Sequence, residues 1–238
     1  MNPLTQVITI CLCVVIFIIP RRLLLVPFVI GMCFVPADQS WIVFGANLHV
    51  IRIMVLAGIG RLFLKGEVGT IKVNIVDTLI IVWGFLGLTV YFLHDFSFGD
   101  AWFKFGVLLE LFGFYWIFRQ LLCSWIDIKF SIAVFLTCML ILLPFVIKEH
   151  ITASNPFEVL GRVHTVIREG RFRCEASFPH SIMFGSFAAA IFPLSWGLFK
   201  TGEKRNLTIA GLIVSAYFAF GQALRQVFDG SYNFCAVF

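Results

Sequence analysis

The residues with the most chemistry to offer crowd into one short stretch, "IREGRFRCEASFPHSIMFG", Ile167 to Gly185. Arg168, Arg171 and Arg173 fall within six positions, and His180 follows just before an apolar run resumes. A guanidinium is a planar fork of donors that fits two phosphate oxygens at once. The residues of "RFRCEA" alternate. If extended, they put Glu169, Arg171, Arg173 and Glu175 on one side and Phe172, Cys174 and Ala176 on the other. Two forks side by side suit a phosphate or pyrophosphate group. The alternative is a pair of solvated charges neutralised by Glu169 and Glu175. A histidine such as His180 can serve as acid or base. A histidine at the edge of an apolar run can equally do no more than bind a loop or water.

The elements that must hold these residues are apolar. The chain of 238 residues is 60% hydrophobic and 13% charged, with a mean hydropathy of +0.97. A soluble domain carries about twice that share of charge. Several apolar runs reach spanning length, about 17–25 residues. The runs are continuous, unlike the weak alternation of barrel strands. The fold class expected is an all-α polytopic integral membrane protein of about eight spans. No basic stripe lies on a soluble domain, so nucleic acid is not an expected partner. Cys11-x-Cys13 is too closely spaced and too apolar in context for a zinc site, and no metal or other cofactor is expected. Cys174 stands alone in its loop and offers a handle for thiol labelling. The 29 phenylalanines are read as lipid-facing and interhelical packing.

The spans are expected near Leu4–Pro20, Leu23–Pro36, Ile42–Leu64, Asp77–Leu93, Ala101–Phe118, Phe130–Ile147, His180–Phe199 and Leu207–Phe220. The second is short and carries Pro27. Residues 1–147 therefore form six N-terminal spans, 148–179 an external loop, 180–220 two further spans, and 221–238 a weakly patterned tail. Arg21 and Arg22 follow the first apolar run, which favours an N-terminus outside. Alternation then places Arg21/Arg22, Lys65/Lys72, Arg119/Lys129 and Lys200/Lys204/Arg205 in the cytoplasm, as the positive-inside rule asks. The loop 148–179 breaks that pattern with Lys148, Arg162, Arg168, Arg171 and Arg173.

Within the loop, "NPFEVLGRVHTVIREG" reads as an amphipathic helix on the outer membrane surface. Asn155 is the N-cap, Pro156 takes the first position and Gly170 ends the helix. Phe157, Leu160, Val163 and Ile167 share the apolar face, and Glu158 pairs with Arg162 at i,i+4. Arg52, Arg61 and Glu110 fall inside apolar runs, which makes them site candidates by default. Arg52 lies in the outer half of its span, within expected reach of the same external site. Arg61 is read as snorkelling and Glu110 as paired with an arginine.

The stretch Ile167–Gly185 resembles the signature of O-antigen ligase and O-antigen polymerase-like membrane proteins. Arg173, Phe178, His180, Ile182 and Gly185 carry the likeness. The run "PRRLLLVPFVIGMCFVPADQSWIVFGANLHVIRIMVLAGIGRLFLKGE" resembles the opening spans of exopolysaccharide members. The resemblance extends over about residues 15–220. It implies a GT-C-like glycosyltransferase of the bacterial inner membrane, with its N-terminus in the periplasm. Such an enzyme takes glycan from an undecaprenyl-pyrophosphate carrier on the periplasmic side and passes it to a lipid or glycan acceptor. It implies no nucleotide sugar or metal. It implies that external arginines hold the pyrophosphate, which suits Arg171 and Arg173. His180 is the catalytic candidate, and Arg168 and, from its place in its span, Arg52 are further candidates for the pyrophosphate.

Two departures stand out. Ala176 replaces the family's glycine, and Ser181 replaces the proline after the histidine. The stretch after about Ala219 fits neither a span nor the family's small-residue motif. A frameshift or premature stop there is expected, with the acceptor-activating histidine of a second loop missing and the chain inactive alone. The rival reading is a non-enzymatic transporter or flippase component for lipid-linked sugars, which would string charges along a path through the midplane. A third is a structural membrane subunit.

Overall fold

The computed structural model describes residues 1–43, 46–94, 98–162, 173–202 and 204–219. They are mostly helical. Seven helices have defined bounds: α1 (Pro3–Ile18), α2 (Leu25–Phe34), α3 (Val50–Leu64), α4 (Ile75–His94), α5 (Phe98–Leu121), α6 (Trp125–Thr152) and α7 (Ser181–Lys200). Residues 205–219 are helical as well. Among the described residues, three helices are long and apolar enough to cross a membrane: Ile75–Leu93 of α4, α6 and α7. The chain divides into two compact units. The first is Met1–Gly31 with Gln39–Asp127, and the second is Met32–Asp38 with Ile128–Phe238.

In the first unit, Asn2 caps α1 by accepting from the Leu4 amide, and Pro3 occupies its first turn. Helix α3 packs on α1 and on α5, and α4 leans on α5. The last carbonyls of α1 have no partner within their own helix. Arg61, 1% exposed, donates to the Ile16 carbonyl, and Lys65 donates to that of Phe17. Arg61 is thus a buried cap for a neighbouring helix, closed by Glu67 at 3.2 Å, where snorkelling was expected.

The same end of the unit gathers three polar links. Arg21 donates to the Gln120 carbonyl at 2.8 Å. The Gln120 side chain and the Gly69 peptide exchange two hydrogen bonds, at 2.9 and 3.1 Å. Arg119 grips both Asp77 oxygens at 3.0 Å and also holds the Lys72 carbonyl. Tyr115 donates its hydroxyl to Asp77 as well. Asn74 and Asp77 satisfy one another's amides at the start of α4, a reciprocal cap. The links expected to share one side of the membrane therefore meet at one end of this unit.

At the other end stands an antiparallel hairpin, β1 (Ser40–Val43) and β2 (Ala46–His49), with Trp41 opposite Leu48. The third span was expected to start at Ile42, but α3 starts at Val50. Trp41, Ile42 and Val43 are aromatic or β-branched and pair across the ladder, so they lengthen the apolar run without joining the helix. Helix α2 spans ten residues, about 15 Å. That is half the ~30 Å hydrocarbon core, and Pro27 lies in its first turn, where a missing N–H costs nothing.

Arg52, 4% exposed, donates from Nε to Glu110 at 2.8 Å and from Nη1 to the Asn47 carbonyl at 2.6 Å. Glu110 was read as paired with an arginine, and its partner is Arg52. The guanidinium lies against Gly106: a Cβ there would come within 2.3–2.6 Å of Arg52 Nη1, Cζ and Nη2. Gly106→Ala is expected to dislodge Arg52 and lower stability by about 1–3 kcal/mol, the usual cost of unpairing buried polar groups. Gly87, which has nothing within 4 Å, is the control, and Gly87→Ala is expected to be neutral or slightly stabilising. Thermal unfolding in detergent checks both.

Candidate functional site

The candidate site belongs to the second unit, where α6 ends, α7 begins and the chain between them folds back. Helix α6 runs past the expected limit of Ile147 to Thr152. Its last turn carries Glu149, which has no exposed surface. A buried carboxylate must be hydrogen-bonded, and this one is. Oε1 accepts from Asn155 Nδ2 and from the Glu175 amide, each at 3.0 Å. Oε2 accepts from the Ala176 amide at 2.9 Å.

Asn155 works in two directions. Its Oδ1 accepts from the Phe157 amide at 2.9 Å, capping a short 3-10 helix, Pro156–Leu160. Its Nδ2 also donates to the Ala176 carbonyl at 2.9 Å. The cap and Pro156 stand where the sequence placed them, but the helix ends at Gly161, φ 84°, and not at Gly170. The amides of Gly161 and Arg162 bond back to Glu158 and Phe157, which closes the turn. Phe157 is buried against Phe145, ring centroids 5.6 Å apart. It faces the core of the unit instead of a membrane surface. Val163 to Phe172, including His164, Arg168 and Arg171, lie outside the described residues.

Arg162 is the second knot. Its side chain is 5% exposed. Nη1 donates to Asp38 at 2.9 Å, and Nη2 donates to Glu175 at 2.6 Å and to the Pro179 carbonyl at 3.0 Å. The expected partner, Glu158, has no part in this clasp. Charge-assisted bonds of this geometry are among the stronger ones. They fix the peptide immediately before His180.

Ser177 adds a third tie, donating to the Cys33 carbonyl at 2.6 Å, and the Ser177 carbonyl accepts from the Ala37 amide. Phe178 then turns inward between Phe184 and Phe187, at 5.5 and 5.2 Å. His180 is the N-cap residue of α7; its side chain is exposed and makes no capping bond. Its backbone carbonyl accepts from Phe184.

Arg173 is half-buried at the start of the return segment 173–180. Among the described residues no carboxylate pairs with it, and its Nε is buried without a hydrogen-bond partner. Glu175, one of its two expected neutralising neighbours, is held by Arg162. Arg52 makes its contacts within the first unit, on Glu110 and Asn47. Cys174 is 2% exposed, with Sγ 3.8 Å from His150 Nδ1. It is buried in the fold, where a handle for labelling was expected. Among the described residues no three His, Cys, Asp or Glu side chains gather as a metal site requires.

Ala176 has φ 51° and is fully buried. This is the left-handed region where glycine costs least, and it is the position where the resemblance expects glycine. The sequence offered no sign of Glu149. It sits among polar neighbours at the end of an apolar run, and its partners are up to 27 residues away. No protein-family model, curated protein or solved structure matches the chain.

The groups on offer are a guanidinium and an imidazole, seven residues apart in one loop. A half-buried guanidinium with no carboxylate partner among the described residues sits in the same loop as an exposed histidine, on backbone clamped from three sides. Glu149→Ala is expected to strip the acceptor from two backbone amides, one buried and one part-buried, and cost about 2–5 kcal/mol. Ala176→Gly is expected to stay within about 1 kcal/mol of the parent, since glycine adopts that φ freely. Melting of the purified variants in detergent separates the two outcomes.

Proposed function

We propose that this chain handles an undecaprenyl-pyrophosphate-linked glycan at the periplasmic face of the bacterial inner membrane, as a glycosyltransferase of the O-antigen ligase and polymerase kind. The resemblance of Ile167–Gly185 to that family motivates the reading. Arg173, together with Arg168 and Arg171, holds the pyrophosphate. His180 exchanges a proton with the reacting sugar or its acceptor. Arg52, the fourth candidate, is paired with Glu110 at 2.8 Å.

One observation carries this reading furthest: Glu175 is committed to Arg162 at 2.6 Å. The bland alternative, two solvated arginines neutralised by flanking glutamates, loses one of its two glutamates. Arg173 is left as a cation near the outer end of α6, where a phosphate would be its partner. Left-handed Ala176 adds support, since the family's glycine would sit there without strain. The rival transporter reading needs charges strung along a path. The buried charges of the first unit instead close on one another and on helix carbonyls.

The test is binding of undecaprenyl pyrophosphate to the purified protein in nanodiscs, with undecaprenol as the phosphate-free comparison. The intact chain is expected to prefer the pyrophosphate. Arg173→Ala is expected to weaken that binding about tenfold or more, the worth of one charge-assisted hydrogen bond, and Arg173→Lys to recover part of it. Equal affinity for undecaprenol and its pyrophosphate would sink the proposal.

A further inference from the structure

The first unit contains a cleft that the loop chemistry does not use. Helices α3 and α4 both pack on α5 but barely on each other. Between them lies an open-sided cavity of about 600 Å³. Phe63 of α3, Phe85 and Leu88 of α4, and Leu109, Phe112 and Trp116 of α5 line it, and no charged side chain enters. Its floor along α5, Phe105 to Trp116, is eleven residues of rise, about 16 Å. That is close to half the ~30 Å hydrocarbon core, the depth of one leaflet.

One end of the cleft is distinctive. Phe63 and Trp116 stack there, centroids 5.7 Å apart and planes 14° from parallel. Tryptophan favours the level of lipid headgroups. Just beyond them lie cations. Lys65 follows Phe63 by two residues, and Arg119 follows Trp116 by three. Arg119 also holds the backbone of Lys72 at this end. The acids nearby are spent: Asp77 is taken by Arg119 and Tyr115, and Glu67 by Arg61. Lys65 donates one hydrogen bond to the Phe17 carbonyl and keeps two more N–H donors. Lys72 is exposed, and its side chain has no partner among the described residues.

We propose that the cleft between α3 and α4 is a binding site for an anionic glycerophospholipid, with one acyl chain along α5 and the phosphate against Lys72 and Lys65. Shape calls for a chain one leaflet deep, and charge selects the headgroup. A lipid that merely solvated the helix would need only the shape.

The site is tested by native mass spectrometry of the full chain released from nanodiscs of equimolar dioleoylphosphatidylglycerol and dioleoylphosphatidylcholine. The parent is expected to retain one phosphatidylglycerol in clear preference. Lys72→Gln, on an exposed link where folding is not at stake, is expected to cut that preference about fivefold, since one surface lysine contributes about 1 kcal/mol toward an anionic headgroup. Leu109→Trp fills the cleft and is expected to abolish retention. Equal retention of the two lipids by the parent overturns the proposal. So does an unchanged preference in Lys72→Gln, or full retention in a Leu109→Trp protein that still melts cooperatively. Should Leu109→Trp fail to fold, the lysine variant decides.

Discussion

Glu149 is a carboxylate with no exposed surface at the end of an apolar helix. Such a group persists only if donors surround it. Here two backbone amides, of Glu175 and Ala176, and the Asn155 amide supply them. That demand fixes the return path of the loop. Asn155 must stand where it caps Pro156–Leu160 and also reaches Glu149. Residue 176 takes a left-handed backbone there, and its own carbonyl accepts from Asn155. Once the loop is held there, Arg162 lies where Asp38, Glu175 and the Pro179 carbonyl converge. The functional reading of Arg173 rests on this chain of constraints, because it is Arg162 that removes Glu175 from Arg173.

Arginines in this chain sort by what they touch. Arg61 caps the carbonyl end of α1, Arg52 joins the hairpin to α5, and Arg119 secures the start of α4. Arg162 clasps three parts of the second unit. All of these have their charge answered by a named acid. Arg173 does not, among the described residues. In a protein with so little charge, a cation without an acid partner is a better candidate for a ligand than one in a good ion pair. The same contrast at the basic end of the first unit singles out Lys72.

Much of the helical scaffold was legible because apolar runs and polar links alternate cleanly. The limits of α4, α5 and α7 fall within a few residues of expectation. The hairpin was not legible: Trp41, Ile42 and Val43 continue the hydrophobicity of α3, and only cross-strand pairing separates them from it. The cap at Asn155 was read from local residue types and stands. The helix length failed because the chain already turns at Gly161, φ 84°, and that turn coincides with contacts of Arg162 more than ten residues away. The partner of Glu110 and the role of Glu149 were invisible for the same reason. Their bonds cross 58 and 27 residues, and local periodicity carries no trace of them.

Hydrogen exchange of the amides at Glu175 and Ala176 tests the account most directly. Both lie in a loop that composition alone would leave solvated. If they donate to buried Glu149, they exchange slowly, as amides released only by opening of the fold. If they exchange at the rate of exposed loop amides, the Glu149 knot does not form. The freed Glu175 would then be available to Arg173, and the case for an anion site would fall with it.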